Sequence, residues 1–141
     1  MPICFIEGPQ GLTQNSKKEL MEKTLKSLVK AYQMPDDRVF IKENPLVNTG
    51  HTSHSETTDY AVQSVNARPV CIIQAPQGLP VDVKKTLMSE LTNHVSASYG
   101  LSDLRDVLIF IQEYPLDVVA NNGMLQSENP EFASPATDGN Y

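Results

Sequence analysis

Three features of this 141-residue chain could carry chemistry: a proline at position 2, an arginine at position 38, and a second copy of the opening segment from Pro69. If Met1 is removed, Pro2 presents a free secondary amine. A free α-amino group titrates at about 7.7–8.0, and burial or nearby positive charge lowers that value. A prolyl nitrogen neutral near pH 7 is suited to general-base work, since a useful catalytic pKa lies close to the operating pH. Proline in second place also permits methionine removal, because processing favours small second residues. The competing reading is that Pro2 merely opens a strand where no ladder donor is needed. Pro69 is internal, so its nitrogen is an amide and cannot be a base.

The chain is one unit written twice. PICFIEGPQGL at residues 2–12 returns as PVCIIQAPQGL at residues 69–79, and eleven of twenty positions are identical between residues 2–21 and 69–88. Such a repeat reads as two supersecondary units sharing a core. Each half alone would be marginal at this length, so the halves must pack on each other.

Each copy predicts a strand, a helix and a second strand. Residues 2–7 alternate apolar side chains over both faces, as in a strand buried within a sheet. Thr13 is a plausible N-cap, and Leu20, Met21, Leu25, Leu28, Val29 and Tyr32 recur at helical spacing until Pro35. Residues 38–43, RVFIKE, form the next strand. In the second unit residues 69–74 are a strand, Pro80 suits a first helical turn, and Val83, Leu87, Leu91, Val95 and Tyr99 make an apolar stripe stopped by Gly100. Residues 106–113, DVLIFIQE, close the unit. A strand–helix–strand segment predicts a right-handed parallel crossover. The expectation is an α+β fold: two β-α-β units, 2–50 and 69–123, in one four-stranded sheet with both helices on one face. Residues 51–68 read as a polar linker and 124–141 as a flexible tail. The second sheet face stays apolar, which predicts an oligomer.

A net charge of −6 argues against nucleic-acid binding, which needs clustered Lys and Arg. No apolar run is long enough to span a membrane, and the first residues lack a signal-peptide pattern, so a soluble, cytoplasmic protein is expected. Cys4 and Cys71 occupy equivalent strand positions and read as small buried apolar residues. His51 and His54 lie in a polar linker with no third strong ligand, which reads as solvated loop rather than a metal site. There is no phosphate loop, nucleophile elbow or dinucleotide fingerprint, and no cofactor is expected. Arg38, Arg68 and Arg105 are the only arginines, hence candidates for a small carboxylate ligand, with Arg105 read as a surface charge.

The opening Pro-Ile, the EG-containing loop, the amphipathic helix and the RVFIKE strand resemble the tautomerase superfamily, whose type member is 4-oxalocrotonate tautomerase. The resemblance covers residues 2–123. It implies a fused member assembling as a trimer, similar in size and in its QEYPLDVVANNG segment to cis-3-chloroacrylic acid dehalogenase and relatives. Pro2 then matches the catalytic amino-terminal proline, and Arg38 the arginine that binds the substrate carboxylate. Leu12 and Leu79 stand where an arginine would follow the first strand of each unit. The dehalogenase's paired arginines fall among residues 75–79, none basic. Its water-activating glutamate aligns with Asn121, its helper tyrosine with Phe110 and its helix histidine with Tyr32. Arg68 is expected near Pro2 if the two first strands run antiparallel. The resemblance implies a proline-dependent tautomerase of a small 2-oxo acid or related carboxylate, with Pro2 as base and Arg38, Arg68 and Asn121 around the substrate. The alternatives are a non-catalytic trimer, or a hydratase, dehalogenase or decarboxylase on the same site.

Overall fold

The computed structural model describes residues 1–35, 37–45, 51–52, 60–61 and 68–132. Strand β1 (Ile3–Pro9) leads into helix α1 (Gln14–Tyr32), which returns to β2 (Arg38–Asn44). A two-residue pair, β3 (His51–Thr52) with β4 (Tyr60–Ala61), precedes the second unit. That unit is β5 (Val70–Pro76), α2 (Val81–Tyr99) and β6 (Leu108–Tyr114). The sheet runs β2-β1-β5-β6, with β1 parallel to β2, β5 parallel to β6, and β1 antiparallel to β5.

Local chemistry sets these bounds. Thr13 caps α1 by accepting a 3.1 Å hydrogen bond from the Ser16 amide. The helix ends where Gln33 turns left-handed, and α2 ends on Gly100 at φ 67. Asp106 does not open the last strand as its sequence suggests. Asp103 accepts from the Arg105 amide and guanidinium, and residues 104–106 close into a tight turn that delays β6 to Leu108.

Cys4, Ile6, Cys71 and Ile73 point to the helix side and are fully buried with Leu20, Leu28, Leu87 and Leu91. Both cysteines are free, and desolvation pushes their thiols up, Cys71 to about 12, so neither is a reactive thiolate. The alternate side chains Phe5, Phe40, Leu108 and Phe110 form an exposed apolar sheet face, with the Phe5 and Phe40 rings stacked at 5.5 Å.

The duplication extends to ion pairs that bind helix to strand. Lys17 meets Glu43 at 2.6 Å, and the equivalent Lys84 meets Glu113. The segment expected to be a tail is structured through residue 132. Asn122 and Gly123, both at positive φ, turn β7 (Ala120–Asn121) into β8 (Met124–Leu125), and Phe132 enters the core at 1% exposure. One aromatic ring in a polar stretch accounts for the difference, since burying it outweighs the polar composition around it. The linker residues 53–59 and 62–67, with His54, and the chain beyond 132 lie outside the described residues; of His51 only the backbone is described.

Candidate active site

Antiparallel pairing of β1 with β5 brings the start of the first unit against the end of the second. Ile3 stands opposite Gln74, and Gln74 opposite Gln112. These three line a cleft of about 430 Å³ with Met1, Glu113, Tyr114 and Val119. Pro2, between the lining residues Met1 and Ile3, is fully buried, and its carbonyl accepts from the Arg38 amide at 3.1 Å.

Met1 is only 7% exposed and is held by residues from three separate parts of the chain. Its ammonium reaches the Met34 sulfur at 3.4 Å, its carbonyl accepts from the Tyr114 hydroxyl at 3.1 Å, and its sulfur meets the Asn121 amide at 3.6 Å. Tyr114 is half-buried. Desolvation raises its pKa and the nearby Asp37 charge adds to this, while the adjoining Gln126 amide opposes them, so the phenol stays protonated at neutral pH. Gln126 is fully buried, and its two polar atoms make no hydrogen bond of good geometry.

The cleft walls are mostly apolar and amide. Gln74 donates to Gln112 at 3.2 Å, and Glu113 is held by Lys84 behind it. No Lys or Arg is among the described wall residues.

The four residues singled out in the sequence fall in different places. Pro2 and Asn121 are brought together around Met1. Arg38 is exposed on edge strand β2 in register with Ile3, one strand spacing of about 4.8 Å from the cleft row. Arg68 is not near Pro2 within the chain. Antiparallel strands join the start of one to the end of the other, so Arg68, before Val70, lies at the Glu7 end of β1, where it pairs with Asp106 at 3.4 Å. Phe110 is on the open sheet face and Tyr32 is buried in the core. Tyr114, Glu113 and the glutamine pair are the residues that sequence reasoning missed. The signal was available in the topology, because an antiparallel central pair necessarily sets the end of β6 beside the start of β1.

No protein-family model and no curated protein matches the chain. Solved structures do. A fused 4-OT, a symmetric trimer, superposes with TM-score 0.70 at 21% identity over 87% of this chain and 94% of its own. Pt0534, solved after inactivation by 2-oxo-3-pentynoate, gives 0.68 at 16% identity over 87% and 94%. The FG41 malonate semialdehyde decarboxylase, inhibited by 3-bromopropiolate, gives 0.68 at 14% identity over 89% and 93%. The chain therefore has the tautomerase-superfamily fold, with two β-α-β units fused in one polypeptide.

Proposed function

We propose that this chain, once Met1 is removed, is a proline-dependent tautomerase acting on a small 2-oxo acid or related carboxylate. The observation that carries the reading is the position of Pro2, fully buried between Met1 and Ile3, which both line the cleft. Removing Met1 converts an amide into a secondary amine and opens the space held by Met1, with Asn121 and Tyr114 facing it. Pro2 moves a proton between carbon and oxygen, and one base serves both transfers. Arg38, at the cleft's edge, holds a carboxylate.

The trimeric fused 4-OT supports the same assembly here, with the open Phe5, Phe40, Leu108 and Phe110 face covered by other copies. Two other readings stand on particular observations. A retained Met1 seals Pro2 as an amide and makes the protein a non-catalytic trimer. Glu113 puts a carboxylate in the cleft, as hydration, dehalogenation or decarboxylation with an activated water would require, but its pairing with Lys84 favours tautomerisation. Ketonisation of phenylenolpyruvate, by protein whose amino-terminal residue has been read by mass spectrometry, tests the reading beside a Pro2→Ala control. Hydratase activity in place of ketonisation would move the assignment to the Glu113 reading.

A further inference from the structure

We infer that Tyr114 is a catalytic residue of this site, its hydroxyl donating a hydrogen bond to the substrate oxygen on which enolate charge develops. The inference rests on the tautomerase reading above and names the group that works opposite Pro2.

The Met1 acyl group is the clue. Its carbonyl carbon is bonded to the Pro2 nitrogen, and its oxygen accepts from Tyr114 at 3.1 Å in a part-buried setting. Covalent geometry puts that oxygen about 2.3 Å from the nitrogen, given C–N near 1.33 Å and C=O near 1.23 Å. In the unprocessed chain, then, a carbonyl sits directly against the future base with its oxygen on the phenol. The phenol and the amine thus flank the space that Met1 leaves, and a substrate carbonyl entering that space at non-bonded distance from the nitrogen lies between the same two groups.

The surroundings suit a donor. The phenol is half-buried, its ionisation is disfavoured by desolvation, and the Asp37 charge disfavours it further, so the proton stays on the oxygen through the neutral range. Lining the cleft from the last residue of β6, Tyr114 is fixed by the sheet rather than by a mobile loop. The described wall residues bring no cation to the developing charge, which leaves the phenol as the strongest neutral donor on that wall.

The step balances without a co-reactant. Starting from the ketone, the Pro2 nitrogen takes the proton from the carbon beside the carbonyl. The C–H pair becomes the C=C bond, and the carbonyl π pair moves onto oxygen, where the Tyr114 O–H···O bond stabilises it. The prolinium then returns its proton to that oxygen, giving the enol; ketonisation runs the same path in reverse. Tyr114 keeps its proton throughout and acts as an oxyanion donor.

The test uses full-length protein with Met1 shown to be absent, phenylenolpyruvate as substrate, and Tyr114→Phe. Loss of one such donor lowers kcat by about 100- to 1000-fold, with KM little changed and the pH midpoint assigned to Pro2 in place. Tyr114→Phe within about twofold of the unsubstituted protein would overturn the role of Tyr114 and leave Pro2 standing. If the unsubstituted protein with free Pro2 is inactive, the tautomerase reading fails, and this role with it. Because Tyr114→Phe could perturb folding, a ring-fluorinated tyrosine at position 114, nearly equal in size and more acidic, gives a second readout. It brings an alkaline loss of activity to lower pH, and a profile that does not move overturns the inference.

Discussion

The hydroxyl of Tyr114 stands 3.1 Å from the carbonyl oxygen of Met1, so the last residue of β6 closes over the first peptide of the chain. This contact follows from one choice of topology. With β1 and β5 antiparallel and each paired to its own parallel partner, the amino end of the first unit meets the carboxyl end of the second. The cleft is therefore shared by the two repeats, with Met1 and Ile3 from the start of the first and Gln112, Glu113 and Tyr114 from the end of the second.

Gly8 sustains the core near the opposite end of β1. A Cβ there would come within 2.6 Å of the Tyr99 ring, so one element has to shift. Gly8→Ala is expected to cost about 1–3 kcal/mol by overpacking, read as a lowered urea midpoint. An unchanged midpoint would mean that Tyr99 moves aside freely.

The two helices are clamped on their outer side by a polar cluster with a predictable pH response. Ser27 donates to Glu90 at 2.8 Å and lies 3.1 Å from His94 Nε2, while Lys30 pairs with Glu90 at 2.7 Å. Desolvation lowers the His94 pKa, helped by Lys23 of α1 and opposed by Glu90. The folded protein thus binds the proton less well than the unfolded chain. The His94 contribution is complete above the unfolded value of about 6.5 and is lost as pH falls through the window below it. Glu90, also lowered, by its hydrogen bond to Lys30 first, adds a loss only at more acidic pH. Chemical denaturation between about pH 7.5 and 5.5, a range bracketing the histidine titration, should show the decline, and His94→Gln should flatten it. An equal decline in His94→Gln would assign the effect elsewhere.

The bare sheet face gives a prediction about assembly. Phe40 and Phe110 are about half exposed on a face that also carries Phe5 and Leu108. A trimer that covers them is disrupted by burying a charge there, so Phe40→Glu with Phe110→Glu is expected to yield monomers by light scattering, against trimers for the unsubstituted chain. Trimers persisting in the double variant would place the interface on another surface.

Much of this architecture was written in the sequence. The repeat gave two β-α-β units, Thr13 and Gly100 marked helix ends, and matched apolar positions placed Cys4 and Cys71 in the core. Bounds shifted where side chains competed for the backbone, as Asp103 does before β6. The site was less legible. Pro2 stood out because its chemistry depends on position alone. Tyr114 and Glu113 gave no local signal, since their role comes from strand pairing across the duplication. Arg68 was misplaced for the same reason, its proximity to Pro2 depending on which strand ends meet. Phe132 was hidden in polar sequence, and its burial shows only in the folded packing.

The most direct measurement compares ketonisation of phenylenolpyruvate by three proteins of verified amino terminus: the chain with free Pro2, the chain retaining Met1, and Pro2→Ala. Activity confined to the first establishes the Pro2 amine as the base. Equal rates in all three, or none in the first, contradict a proline-dependent tautomerase.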